Sequence, residues 1–169
     1  MMSVVCYCGS CQEGSRQIDA LTNAVPILGP DAGTAYVLYR KDRIQYAKGA
    51  ERLRGYTIDE KSTTSRVVAP CCSSAMVMRF DDAKDWVPVY RGRFQGDVPP
   101  VQWRICTKFK PANAGRFQRM FQVPRCTAGL LWELLTSKIA MRFNRYVKLA
   151  PVLVSSGESG RQSSLARAA

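Results

Sequence analysis

Thr63-Thr64-Ser65-Arg66-Val67-Val68-Ala69-Pro70-Cys71-Cys72-Ser73-Ser74-Ala75-Met76-Val77-Met78-Arg79-Phe80 is the stretch on which the fold class turns. Its two flanks, 63–69 and 75–80, are rich in β-branched and apolar side chains, and Pro70 with the two serines interrupts them. The stretch therefore reads as two strands flanking a cysteine pair. On the second strand Met76, Met78 and Phe80 are expected to share one face, because side chains alternate along extended backbone. Upstream, 34–39 is β-branched and aromatic, 43–47 alternates, and 52–56 repeats the habit after a turn at Gly49. Downstream, Asp81, Asp82, Lys84 and Asp85 form a charged turn before a strand at 86–90, which Pro88 is expected to confine to a sheet edge for want of an N–H. After Pro99-Pro100, Val101, Trp103 and Ile105 alternate with Gln102 and Arg104. Short strands with turn signals at close intervals predict a mainly β fold, a sandwich or small barrel.

Helical periods lie only at the ends. Residues 12–21 read as a short helix, followed by an irregular loop marked by Pro26, Gly29-Pro30 and Gly33. From Thr127 the pattern changes, with Leu131, Leu135, Ile139 and Phe143 recurring every four residues and Lys138, Arg142 and Arg145 elsewhere on the cylinder. This spacing predicts an amphipathic helix over 127–148, stopping before Pro151. The small, polar remainder, 151–169, is expected to be disordered. The chain of 169 residues thus divides into a β domain at 1–125, a helix within 126–150 and a tail. At 46% hydrophobic and 22% charged residues it can collapse around one core, and no apolar run approaches the roughly 18 residues that cross a bilayer.

The absence of histidine excludes every His-ligated metal site and every Ser-His or Cys-His nucleophile pair. Chemistry is left to Cys, carboxylates, Tyr, Lys and backbone. Of seven cysteines, five cluster, as Cys6, Cys8 and Cys11 in one run and Cys71 and Cys72 in another. An odd count and an N-terminal sequence without a signal-like pattern point to a reducing, cytoplasmic setting, where clustered thiols are metal ligands or reactive groups. In Cys6-Tyr7-Cys8-Gly9-Ser10-Cys11, extended backbone would send the first two thiols to one face, and a turn at Gly9-Ser10 would return Cys11 to the same point. Three converging thiolates suit tetrahedral zinc, Zn2+, at about 2.3 Å each. Adjacent Cys71 and Cys72 point to opposite faces of an extended segment, so one joins a metal more easily than both. Cys106 and Cys126 read as small buried hydrophobes.

The order Cys6-Tyr7-Cys8-Gly9-Ser10-Cys11-Gln12, then Gly49-Ala50-Glu51-Arg52-Leu53-Arg54-Gly55-Tyr56, then 66–76 through Pro70-Cys71-Cys72-Ser73, resembles the glutathione-dependent formaldehyde-activating enzyme (GFA) family over roughly residues 4 to 80. The resemblance implies a zinc-bearing, β-sandwich-like fold, with Cys6, Cys8 and Cys11 in the place of the central run that holds the catalytic zinc. It sets Cys72 at the second cysteine of a late Cys-x-x-Cys-Gly segment, with Ala69 at the first and Ser73 at the glycine. The family's early Cys-x-Cys pair has no counterpart here. Either one metal suffices, or Cys71 and Cys72 serve the central site, or an N-terminal strand is missing from the sequence.

Ligand count separates two expectations. Three thiolates leave a coordination position open, so that a thiol such as glutathione can bind and add to an aldehyde; a fourth from Cys71 or Cys72 closes the site and makes it structural. The resemblance implies the first, a carbon–sulfur lyase acting on thiol–aldehyde adducts. No residue is assigned a catalytic role; Glu13 and Asp19 are the candidate proton carriers, and Arg16, Arg40 and Arg43 the candidate carboxylate partners. The rival is a zinc-stabilised binding module. Residues 1–90 carry 11 basic and 10 acidic side chains, whereas 91–169 carry 14 and 3, so nearly all of the net +12 sits in the second half. There Arg91, Arg93, Arg104, Lys108, Lys110, Arg116 and Arg119 interleave with Phe94, Trp103, Phe109 and Phe117, a pattern that suits nucleic acid or another polyanion. The resemblance extends to the chromosome-associated, centromere protein V-like members of the same family.

Overall fold

The structure is a computed structural model, and it describes residues 2–81, 84–112, 121–123, 128–143 and 152–153. Among these, strands and α-helices follow in the order β1 (Met2–Cys6), α1 (Gly9–Asp19), β2 (Thr34–Arg40), β3 (Ile44–Gln45), β4 (Arg54–Thr57), β5 (Thr64–Ala69), β6 (Ser74–Phe80), β7 (Trp86–Tyr90), β8 (Trp103–Ile105), β9 (Phe121–Val123), α2 (Ala128–Phe143) and β10 (Val152–Leu153). The protein is mainly β. Eight strands form one sheet in the order β4-β5-β6-β7-β2-β1-β8-β9, and β3 pairs separately with β10. The eight-stranded ladder is continuous and does not divide into the two stacked sheets that a sandwich reading anticipates.

The β5–β6 hairpin runs antiparallel from Thr64↔Phe80 to Ala69↔Ser74, with a register shift between Val67 and Val68. Because Val67 opposes Val77 and Val68 opposes Ala75, Met76 is the extra residue of a bulge. The bulge corrects the expected alternation. Ala75, Met78 and Phe80 pack with one cluster, while Met76 packs beside Val77 in the other. While β4 at one edge is exposed throughout, the central strands carry a core cluster on each face. One carries Val4, Cys6, Tyr36, Val68 and Tyr90 against Cys11 and Ile18 of α1, with Leu134 of α2 at its margin. The second carries Val67, Ala69, Met76, Val77 and Val89 beneath Tyr39, Ile44, Leu53 and Phe94.

Several boundaries differ from expectation for identifiable reasons. Met2–Cys6 is buried at every position and lies inside the sheet, antiparallel to β2 and parallel to β8, so it shows no alternation to detect. The first helix begins at Gly9 rather than at residue 12, capped by Cys8. The expected strand at 43–47 is a 3-10 turn at Lys41–Arg43 followed by two paired residues, and a second 3-10 turn, Ala50–Arg52, precedes β4. Within the expected tail, Val152–Leu153 pairs with Ile44 and Gln45. The helix expected over 127–148 spans Ala128–Phe143, and its last five positions lie outside the described residues.

Pro88 lies in an interior strand, against the expectation of an edge. Strand β7 pairs with β2 along its whole length, Leu38↔Pro88 included, but with β6 only at Val77↔Val89. The missing N–H is accommodated on the β6 side, where the ladder is reduced to that single pair.

Candidate metal centre

The three N-terminal cysteines are placed by the sheet and by the helix that leaves it. Cys6 ends β1 between Thr34 of β2 and Ile105 of β8. The Tyr7 N–H donates to the Ile105 carbonyl at 3.1 Å, which carries the ladder one residue past the strand. Tyr7 is fully buried, and its hydroxyl donates to Asp31 at 2.7 Å; Arg104 reaches the same carboxylate at 2.9 Å and also bonds the hydroxyl. Any side chain on Gly33 would overlap Val5 and the Tyr7 ring, so only glycine admits this packing. Gln12 then donates to the Tyr7 carbonyl at 2.5 Å and to the Phe109 carbonyl at 3.0 Å, tying α1 down over the cysteine run.

Cys8 stands at the N-cap of α1, in extended conformation, and its sulfur accepts from the Cys11 N–H at 3.4 Å. A cysteine here does the work usually given to Ser or Asp, and the positive end of the helix favours its thiolate. With Cys11 one turn into the helix, the sulfurs of Cys6, Cys8 and Cys11 all lie within 4.8 Å of one another. The convergence expected from the spacing is present, although the first turn of a helix produces it rather than a reverse turn at Gly9-Ser10.

The three thiols share charge unequally. Cys8 is held far below its ordinary value by hydrogen bonds from Cys11 and Cys6, which outweigh the burial that opposes them. Cys6 is driven far up, first by its hydrogen bond to Cys11, then by Cys8 and burial. Cys11 is pulled down by Cys6, but Cys8 and burial push it up to about 12. The metal-free cluster is therefore one thiolate solvated by two thiols. Around it, the Tyr36 hydroxyl bonds the Cys11 sulfur at 3.6 Å, and burial raises that phenol well above its usual range, so it keeps its proton. Arg66, 1% exposed, donates to the Ser10 carbonyl at 2.6 Å and to its hydroxyl at 3.1 Å from beneath the first turn.

The second cysteine pair is elsewhere. Cys71 and Cys72 occupy the turn between β5 and β6, their sulfurs 3.8 Å apart, and neither belongs to the group formed by the other three. Cys71 is exposed and Cys72 half-buried. Burial of Cys72 opposes ionisation, but hydrogen bonds from Ser74 and Cys71 prevail and lower its value. Cys106 is half-buried against the core, and Cys126 lies outside the described residues.

Other candidates have structural partners. The Asp19 carboxylate accepts the N–H groups of Ile27 and Leu28 at 2.8 and 3.1 Å, so it closes the loop after α1. Glu13 is paired with Arg16 and accepts from Gln17 on the exposed side of the helix. Arg40 pairs with Asp42 at 2.7 Å, and Arg43 lies in the neighbouring 3-10 turn. In the basic second half, Arg91 holds the Pro99 carbonyl at 3.2 Å, Arg93 reaches Ser74 at 3.4 Å and Arg104 holds Asp31. Lys108 lies 4.5 Å over the exposed ring of Phe109, while Arg116, Phe117 and Arg119 fall outside the described residues. Tyr36 and Arg66 carry no signal in the sequence, since both sit in ordinary strand alternation. No helix among the described residues is long and apolar enough to cross a membrane.

The fold and site together define a mainly β protein with a three-cysteine group able to hold a metal ion. No protein-family model matches the chain, and no curated protein does.

Proposed function

We propose that the chain is a zinc-binding protein of the GFA type, which takes a small-molecule thiol such as glutathione at its metal and acts weakly, if at all, as a carbon–sulfur lyase on thiol–aldehyde adducts. The observation that carries this reading is the group of three thiols within 4.8 Å, joined by no fourth His, Cys, Asp or Glu among the described residues. Sulfur ligands at about 2.3 Å from a tetrahedral ion fit such a spacing, and an all-thiolate set favours zinc over harder ions. Cys6, Cys8 and Cys11 would hold the metal. When bound, zinc supplies a Lewis acid that brings an incoming thiol's ionisation towards neutral pH. Tyr36 orients Cys11, and Arg66 and Gln12 fix the turn that carries Cys8 and Cys11.

Two further points bear on the GFA likeness. Ser73, at the family's glycine, has φ of 48°, a left-handed conformation that glycine adopts most readily. Weak turnover is expected because no carboxylate joins the thiols and Tyr36 retains its proton, which leaves proton transfer without a nearby base.

Metal analysis of purified protein tests the first part: near one zinc per chain, lost in Cys8→Ala, is expected, and a zinc-free protein with intact fold would overturn it. NMR exchange measurements with glutathione and formaldehyde test the second. Glutathione is expected to perturb the site without strong acceleration of adduct exchange. A strong acceleration that vanishes in Cys8→Ala would show a working lyase, and a site untouched by glutathione would show a closed, structural metal.

A further inference from the structure

Beyond the Val77↔Val89 pair, the ends of β6 and β7 line a cavity of about 330 Å³ whose far side is formed by Lys41, Ile44 and Tyr46, from the chain after β2. Met78, Arg79 and Phe80 of β6 and Trp86 and Val87 of β7 line it, on the stretch where Pro88 supplies no N–H and the β6–β7 pairing is reduced to Val77↔Val89. The Lys41 N–H donates to the Asp85 carbonyl at 2.9 Å, which carries the β2–β7 ladder one residue past Arg40↔Trp86 and ties the turn after β2 to the β6–β7 turn.

The lining is chemically lopsided. Tyr46, Phe80 and Trp86 supply three aromatic side chains, Lys41, Arg79 and Lys84 three positive charges, and no carboxylate lines the cavity among the described residues. The Lys84 ammonium stands 4.5 Å above the Phe80 ring, so one charge already rests on an aromatic wall. The Asp85 carboxylate, close by in sequence, is engaged with Lys138 of α2 at 3.5 Å. Like charges gathered on low-dielectric walls raise the local potential and draw in an anion. Aromatic walls favour a ligand with a flat apolar body. The volume stands at the lower end of small-molecule sites, roughly 300 to 1,000 Å³, enough for one ring system and one charged group.

We propose that the cavity beside the ends of β6 and β7 is a binding site for a planar aromatic anion of about mononucleotide size, its ring among Tyr46, Phe80 and Trp86 and its phosphate or carboxylate on Lys41 and Arg79. The site shares no residue with the cysteine group and does not depend on the function proposed for it.

Titration of the 15N-labelled full chain with AMP, anthranilate, adenosine and inorganic phosphate tests this. AMP or anthranilate is expected to give saturable amide shifts confined to 41–46, 77–80 and 84–87, and the preference between them assigns phosphate or carboxylate. Adenosine and phosphate, each lacking half of the ligand, should bind at least about tenfold more weakly, a difference of about 1.4 kcal/mol. The Lys41→Gln/Arg79→Gln pair should weaken the favoured anion by at least about tenfold. The idea is overturned if neither aromatic anion saturates at millimolar concentration, if phosphate alone binds as well as AMP, or if the folded double variant binds unchanged. Should that variant not fold, the comparison of the four ligands on the unaltered chain still decides.

Discussion

The Tyr36 hydroxyl meets the sulfur of Cys11 at 3.6 Å, from the strand beside the one that carries Cys6. A donor to a ligating sulfur draws off charge and fixes the direction of its lone pairs, an outer contact of the kind that tunes metal affinity by about 10- to 100-fold when removed. Tyr36→Phe keeps the ring against Tyr90, 5.0 Å away between centroids, and deletes only the donor. We expect zinc affinity to fall about tenfold, read by competition with a chromophoric chelator, with the melting temperature of the metal-free protein changed by only a few degrees.

Metal uptake should release protons. With Cys6 and Cys11 raised and Cys8 lowered, the metal-free cluster is singly ionised at neutral pH. Binding requires all three as thiolates, so about two protons leave per metal and the logarithm of affinity rises by about two for each unit of pH near neutrality. Adding zinc to weakly buffered protein with a pH indicator measures the number. A release well below one proton would contradict this distribution of charge.

The β5–β6 hairpin is the part of the chain most legible in the sequence. Its strands are observed at Thr64–Ala69 and Ser74–Phe80 because alternation and a proline-led turn are local properties. What escaped reading is set by partners distant in sequence. Met2–Cys6 has strand character only because β2 and β8 flank it, and the side to which Met76 turns depends on a bulge opposite Val67 and Val68. The proximity of Cys6, Cys8 and Cys11 followed from spacing, whereas Tyr36 and Arg66 reach the site through tertiary packing alone.

Acid should loosen the region beneath the cysteine run. Burial alone would raise the Asp31 carboxyl, but the Tyr7 hydroxyl, the Gly33 N–H and Arg104 together hold it below its ordinary value. A carboxyl lowered on folding contributes stability above its unfolded value and loses it as pH falls through the folded one. Asp31→Asn is expected to cost about 1–3 kcal/mol at pH 7, since it replaces the charge-assisted bonds that the carboxylate accepts from Arg104 and Tyr7 with weaker neutral ones. Below about pH 4 the gap to the parent protein should narrow, as the parent's own carboxyl takes up a proton. Urea unfolding at pH 7 and pH 3 reads both.

Two glycines of α1 should respond in opposite ways to the same substitution. A Cβ at Gly14 would overlap the Arg66 guanidinium, whereas one at Gly9 would meet nothing within 4 Å. Gly14→Ala must displace a buried cation and should cost about 2 kcal/mol or more, while Gly9→Ala should be neutral or gain up to about 1 kcal/mol from helix propensity. Thermal melts of the two variants provide the comparison. Equal stability would mean that Arg66 does not pack against the helix.

Parallel pairing of β1 with β8 sets Val4 beside Trp103 and Cys6 beside Ile105, about a hundred residues apart along the chain. During synthesis the thiols leave the ribosome about a hundred residues ahead of this backbone support. Until Ile105 emerges, the nascent chain can offer only loosely held sulfurs to a metal or an oxidant, and contacts of such sequence separation form slowly. The finished centre therefore records completion of the sheet: loading with metal belongs to the end of folding, and truncation before β8 should yield a chain that binds zinc poorly however many cysteines it retains.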